Sequence, residues 1–576
     1  MTAHLIPPGY KLPTNPARAS GKVAHGFVTP KQDRIPQVHS IPPRRVLPII
    51  FLPGIMGTNL RMSAARQTEM GKTNNIAWRP DNTKECLALV NATPAARQNQ
   101  LDPRHTEVDE YDPVRNPTGD RKETADKRNE DVEVDFKYKL DVSVNSPLLE
   151  NDPYGSNPRK LKEQKARERG WGEVFFGSYR DLLEMCEQRL NTAFYGGKLD
   201  SWWDQIIGVA PREWQAHPQP PLQPLDENTL RNAVKGCWFP VHAIGYNWLR
   251  SNRSSGEQVA KRITALMKRY ETQGFQCEKV ILVTHSMGGL VARAVIHPEM
   301  GKLMDKVLGV VHGVMPATGA GAAYKRMRCG FEDSMFDPAP KVLGNYGNEV
   351  TAVLGNAQGG LELLPSRAYG NDWLQATHKG ATLKSLPKNG DPYEEIYKVQ
   401  GKWYGLLRPT WINPAERRTS GFENTCLLLD RAKKFHDQIS STYHDQSYAH
   451  YGADPNRSAW HRVVWALDDK AHVLDVEGLR IASDDKQGVL HVIDPRHPSP
   501  PGEPGPQFAA RMQSPLDPGD QTVPLHSAEH QLRSGKFKGI FRQGGYEHQN
   551  SYKDESALLC TLYCLVQVAK TTTWSK

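Results

Sequence analysis

The fifteen residues VILVTHSMGGLVARA, 280 to 294, decide the fold. Val280 to Val283 form an unbroken apolar run, as a strand buried on both faces of a parallel sheet requires. From Leu290 onward, Leu290, Val291, Ala294 and Val295 repeat with the period of an amphipathic helix. Ser286 therefore falls at a strand-to-helix turn with almost no loop between the elements. So sharp a turn strains the backbone of its central residue and pushes the side chain outward. Its neighbours must be small because the helix crosses straight back over the strand, and Gly288 and Gly289 meet that need. This is the pattern of a nucleophile elbow, usually G-x-S-x-G, with Thr284 in place of the first glycine. An S-x-G triplet alone is common by chance. The strand before it and the helix after it set this one apart.

Working outward, RVLPIIFLP (45–53) is a second buried strand that runs into Gly54. Upstream of the elbow, WGEVFFGSYRDLLEMCEQRL (171–190) reads as a helix and WFPVHAIGYNWL (238–249) as a strand. SGEQVAKRITALMKRYETQG (255–274) is an amphipathic helix closed by glycine, and DKVLGVVHGVMP (305–316) is another buried strand. Strands alternating with helices build a parallel, doubly wound sheet. The predicted class is α/β, an α/β-hydrolase fold with a large polar insertion and a lid or cap insertion.

That order divides the chain into a basic, proline-rich arm (1–45) and the first part of the hydrolase core (46–316), which contains a polar insertion at about 60–170. A lid or cap insertion (317–460), rich in Gly, Ala, Pro and aromatic residues, follows. The second part of the core (461–576) carries the remaining chemistry. Within the polar insertion, RKETADKRNEDVEVDFKYK (121–139) lacks a helical apolar stripe and reads as a surface segment. The stretch 494–520, dense in proline and glycine, reads as a long loop.

The formal charge is +9, and the first 50 residues hold seven Lys or Arg against one Asp, a balance of +6. The excess is thus concentrated in an arm suited to a solvated tail or to an anionic partner. No nucleic-acid-binding motif accompanies it. No window approaches the roughly 20 apolar residues of a membrane span; ALLCTLYCLVQVA (557–569) has the length of a core helix. The first residues show no apolar segment of the secretory type, so the expected route of export is one that does not read such a signal. The eight cysteines are scattered, without metal-binding spacing.

A serine nucleophile needs a base, and the base needs an orienting carboxylate, in the chain order Ser, acid, His for this fold. PGDQTVPLHSA (518–528) places Asp520 in a Gly-Asp turn, and QGGYEHQNSY (543–552) places His548 in a loop after a strand. Asp517, His526 and His530 are the neighbouring alternatives. The oxyanion needs two amides. One is Met287, the residue after the nucleophile, and the other is Ile55 or Met56 in FLPGIMGTN (51–59), of which Ile55 is preferred. The segment 435–454 collects His436, Asp437, His444, Asp445 and His450, but with no standard metal spacing, so no metal ligand is assigned. The chemistry requires no cofactor.

FLPGIMGT, THSMGG and GDQTVPLHSA together resemble the lipases related to lecithin–cholesterol acyltransferase and to inositol-deacylating lipases. PATGAGAAYKRMR (316–328), LELLPSRAYGNDWL (361–374) and YHDQSYAHYGADPNRS (443–458) resemble a narrower group, the type VI secretion lipase effectors of the third family. The resemblance implies an antibacterial phospholipase, loaded through a spike or adaptor protein, acting on phospholipid in a rival's periplasm and neutralised in its producer by an immunity protein. A soluble esterase, or a non-catalytic binding protein on the same fold, are the competing readings. Activation at a lipid interface separates the first, and labelling by a fluorophosphonate the second.

Overall fold

The computed structural model describes residues 43–114, 120, 122–138, 146–150, 161–332, 339–469, 471, 473, 475–496 and 506–575, with the backbone of three short strands, Thr14–Pro16, Lys22–Gly26 and Gln37–Ile41. Apart from those strands, the basic arm up to residue 42 lies outside the described residues, as do 497–505 of the Pro/Gly-rich stretch.

Seven strands form the main sheet: β1 (Ile49–Leu52), β2 (His217–Gln219), β3 (Val241–Ala243), β4 (Val280–His285), β5 (Val307–Gly313), β6 (Ser447–Gly452) and β7 (Phe537–Gln543). Their order across the sheet is β2-β7-β6-β5-β4-β1-β3, and every pairing is parallel except that of the edge strand β2 with β7. Helices cover both faces: α1 (Phe176–Asn191), α2 (Asn252–Thr272), α3 (Gly288–Ile296) and α4 (Glu555–Ala569). Alternate strand residues feed two separate cores. Ile50, Leu52, Leu282 and Val310 pack with Ile263 of α2 and Val291 of α3. Ile49, Phe51, Ile281, Val283 and Val311 face Leu182 of α1 and Leu562 of α4. A strand buried on both faces has no polar alternation to keep, which is why β4 reads as a continuous apolar run. The apolar segment 557–569 is α4, wedged against this sheet. Among the described residues, no helix is long and apolar enough to cross a membrane.

Two stretches differ from their sequence reading. Within 121–139, Val132, Val134 and Phe136 are buried against the α1 side of the sheet, so this part of the insertion is packed rather than a free surface. The signal was there as a period of two, V-E-V-D-F, instead of a helical stripe. The charges around it are also internal. Asp109 pairs with Arg128 at 2.6 Å and Arg79 at 3.4 Å, all three almost fully buried.

The second difference concerns the boundary at 460. β6 lies inside the stretch read as a lid, yet it pairs with β5 on one side and β7 on the other. Its sequence, SYAHYG, carries Ser, His and Tyr where the other central strands carry Val and Ile. The cap strands Leu374–His378 and Ala381–Leu386 in turn join four strands from beyond 460 in a six-stranded second sheet. One of those four, Gln507–Met512, comes from the stretch read as a long loop. The chain thus rejoins the main sheet at β6, leaves to finish the second sheet, and returns to the main sheet at β7, after the short strand Asp517–Gly519 has paired with Asp454–Ala459.

Candidate active site

The elbow forms at the C-terminal end of β4. Ser286 has φ of 52°, a left-handed conformation that a non-glycine residue adopts only under constraint. Its amide donates to the Gly313 carbonyl at the end of β5, 2.8 Å away, which holds the bend. A side chain on Gly288 would put Cβ 2.4 Å from the Leu52 carbonyl oxygen, and one on Gly289 would meet the Met315 sulfur at 2.4 Å. The glycines are there because α3 passes directly over β1 and over the exit of β5.

Asp520 and His548 arrive from the far end of the chain. Asp520 sits just beyond the short strand Asp517–Gly519, beside Gln521, whose φ is 71°. One oxygen of its carboxylate, Oδ1, accepts from the Thr522 and Val523 amides at 3.1 and 2.7 Å. The other, Oδ2, lies 2.8 Å from His548 Nδ1. The His548 amide also donates to the Asp520 carbonyl at 3.0 Å, so the two loops are tied through backbone and side chain alike. His548 Nε2 in turn stands 2.8 Å from Ser286 Oγ. An ionised carboxylate only accepts, so the proton belongs on Nδ1, and Nε2 is left to accept from the serine hydroxyl. That tautomer suits the ring to take a proton from the serine.

The alternatives are engaged elsewhere. Asp517 binds the Arg462 side chain at 2.9 Å and its amide at 3.3 Å. His526 donates to the Tyr369 carbonyl at 2.7 Å and stacks on His461 with ring centroids 4.0 Å apart. His530 opens the short helix His530–Ser534. In the 435–454 segment, His436 bonds the Glu362 carbonyl at 2.7 Å, Asp437 pairs with Arg367 at 3.3 Å, and Asp445 pairs with Lys536 at 2.6 Å. His444 Nδ1 accepts from the Gln446 amide at 3.0 Å, and His450 lies in β6 with its Nδ1 3.4 Å from the Tyr546 hydroxyl. These side chains point to separate partners. Among the described residues, no three His, Cys, Asp or Glu side chains are grouped to hold an ion.

For the oxyanion, Met287 caps α3, at the end of a helix where amides point outward unpaired. Ile55 lies in a turn closed by the Gly57 amide donating to the Gly54 carbonyl at 3.1 Å, with Met56 at φ 62°. This turn rests on Ser286, because a Cβ on Gly54 would sit 2.7 Å from His285 Nδ1 and 3.0 Å from Ser286 Cβ. Ser286, Asp520 and His548 are only 4%, 1% and 7% exposed. All three side chains are buried.

Two residues beside the site were not singled out from sequence. His285, just before Ser286, hydrogen-bonds the His548 carbonyl through Nε2 at 2.9 Å and Tyr179 through Nδ1 at 3.1 Å. Burial, reinforced by the nearby His548, pushes the His285 imidazole down to about 3. Burial also pushes the Tyr179 phenol up to about 12. Nothing local in the α1 sequence marks Tyr179, whose partner is 106 residues away.

Residues 252–324, which span α2, the elbow and β5, match the family model described as PGAP1-like alpha/beta domain. Among solved structures, the chain is similar to the one described as "The crystal structure of Tle4-Tli4 complex". The two are 30% identical with a TM-score of 0.71, and the alignment covers 92% of this chain and 99% of that one. No match was found among the curated proteins. The neighbour's name carries the numeral four, whereas the middle motifs of this chain resemble the third family. The chain belongs to the type VI secretion lipase effectors, on an α/β-hydrolase fold.

Proposed function

We propose that this protein is a serine-dependent phospholipase that hydrolyses acyl esters of membrane phospholipids as an antibacterial effector. The observation that carries the reading is the unbroken hydrogen-bonded series Ser286–His548–Asp520 at a strained strand-to-helix turn. Ser286 Oγ attacks the ester carbonyl while His548 Nε2 takes its proton. The negative charge on the carbonyl oxygen falls to the Met287 and Ile55 amides. His548 then returns the proton to the departing lysophospholipid oxygen, and the acyl group remains on Ser286. Water, activated by the same imidazole, releases the fatty acid and restores the serine. Asp520 holds the ring in the productive tautomer throughout.

A phospholipid substrate accords with the burial of the three side chains. A nucleophile only 4% exposed is reached after something moves, and a lipid surface is an agent that can displace a cap. The described cap helices that precede β6, such as Gly347–Leu354 and Phe422–Ile439, are the candidates for that movement. Tle4 was solved in complex with Tli4, and by analogy this chain is assigned a cognate immunity protein that shields its producer. Delivery through a spike or adaptor into the periplasm completes the reading.

Expression in a susceptible bacterium, with and without an added periplasmic signal peptide, tests it. Growth arrest with release of free fatty acid is expected from the periplasm-directed wild type, and not from its Ser286→Ala form. Equal toxicity from the serine variant would remove hydrolysis as the cause. Harmlessness in both compartments, alongside ester hydrolysis in vitro, would remove the effector role and leave the lipase.

A further inference from the structure

Four groups around the site are joined in one direction. The Gly54 amide lies 3.3 Å from the Tyr179 hydroxyl and can only donate to it. The hydroxyl oxygen therefore accepts from Gly54, and its proton is free for His285 Nδ1, 3.1 Å away. Nδ1 must then be unprotonated, which puts the His285 proton on Nε2. That nitrogen donates to the His548 carbonyl at 2.9 Å, an oxygen that can only accept. With the buried His285 imidazole neutral, no alternative placement of protons satisfies all three contacts at once. The order is Gly54, Tyr179, His285, His548, from the turn that carries Ile55 to the loop that carries the base.

Packing reinforces the hydrogen bonds. A Cβ on Gly57 would stand 2.7 Å from the Tyr179 hydroxyl oxygen, so the Gly54–Gly57 turn wraps around that atom. The Tyr179 ring packs on Phe51 of β1, the strand from which the turn emerges, with centroids 4.7 Å apart. It meets the His285 ring edge-on at 5.3 Å. The hydroxyl is thus fixed from β1, from α1 and from the elbow together.

We propose that Tyr179 and His285 are positioning residues that set the distance between the oxyanion turn and the catalytic base. Neither touches the reacting atoms. His285 is adjacent to the nucleophile in sequence, yet its side chain turns away from the substrate side to hold the backbone behind His548. Tyr179 holds the opposite wall. Both Ile55 and His548 must meet one carbonyl group within a fraction of an ångström, and they sit on loops from opposite ends of the chain. A relay between those loops supplies that precision. This inference rests on the serine-hydrolase reading above.

The test uses the full chain with a soluble short-chain ester and a trifluoromethyl ketone, which forms a tetrahedral oxyanion on a reactive serine. Tyr179→Phe keeps the ring and removes the hydroxyl. It should lower kcat by about 10- to 100-fold and weaken the ketone by a similar factor, with KM and Tm nearly unchanged. His285→Gln, whose amide can still donate to His548 and accept from Tyr179, should keep more activity than His285→Leu. Wild-type kcat in folded Tyr179→Phe and His285→Leu would overturn the proposal. So would losses that track a fall in Tm while ketone affinity is unchanged, since that marks a purely structural role. Fluorophosphonate labelling of the wild type separates the two readings. A labelled Ser286 with indifferent variants defeats only the relay, whereas an unlabelled Ser286 defeats the hydrolase.

Discussion

His548 Nε2 lies 2.8 Å from Ser286 Oγ although 262 residues separate the two in the chain. The contact exists because β4 and β7, separated by β5 and β6 in the sheet, end on the same edge. In open α/β sheets this carboxyl edge is where strand-end loops converge. The site is therefore a consequence of strand order, and changes that leave the order intact should act on chemistry without unfolding the protein.

Asp520 and Asp517 provide a close comparison of that kind. Asp520→Asn preserves shape but reverses the donor facing His548 Nδ1, favouring the wrong tautomer. A fall in kcat of roughly 10⁴-fold is expected. Asp517 spends its carboxylate on Arg462, which is half exposed, so Asp517→Asn should change kcat by less than about threefold. Steady-state kinetics of the two purified variants check this, and the reverse order of damage would reassign the acid.

Gly54→Ala should damage catalysis more than stability. Its Cβ would press on His285 Nδ1 at 2.7 Å and on Ser286 Cβ at 3.0 Å, and relief comes from lifting the turn away from the nucleophile. Displacing the oxyanion donor in this way is expected to cost about 100-fold in kcat. Gly288→Ala meets backbone instead, with the Leu52 carbonyl oxygen at 2.4 Å, and should lower Tm. Thermal melts and kinetics on both variants distinguish the two effects.

Two sets of buried groups give pH dependences of opposite sign. Burial drives His285 and His312 down to about 3, and His436, His450 and His461 down to about 4, from 6.5. The folded chain then binds fewer protons than the unfolded one across that interval. The stability these imidazoles confer is complete above 6.5 and is lost as the pH falls through 4 to 3. Burial instead raises Glu362 from 4.5 to about 8. Its contribution is complete below 4.5 and is lost as the pH rises through 8. Tm measured from about pH 6 to pH 9 should therefore decline less in Glu362→Gln than in wild type. A wild-type decline undiminished in the variant would contradict the assignment.

Sequence carried the elbow, the strands flanking it and the order of the three site residues, because each is a local pattern. A buried parallel strand is an apolar run, an elbow needs small residues at fixed offsets, and Asp520 and His548 sit in glycine-flanked turns. β6 was hidden for a physical reason. Its His450 and Tyr451 look like surface or metal-binding residues, and its identity as a central strand comes only from pairing with β5 and β7. The second sheet escaped notice similarly, since Leu374 pairs with Val463 across a long excursion that no window spans. Tyr179 shows the same limit at the site. Its ring fits an ordinary helix pattern, and only the fold brings its hydroxyl to Gly54 and His285.

The central claim is that Ser286 is a nucleophile activated by His548 and Asp520. Reaction of the intact protein with a fluorophosphonate, followed by peptide mapping by mass spectrometry, tests it most directly. The account predicts one modified residue, Ser286, with labelling that disappears in Ser286→Ala and slows strongly in His548→Ala and Asp520→Asn. An unmodified Ser286 in the folded wild type, or labelling at the same rate without His548, would contradict it.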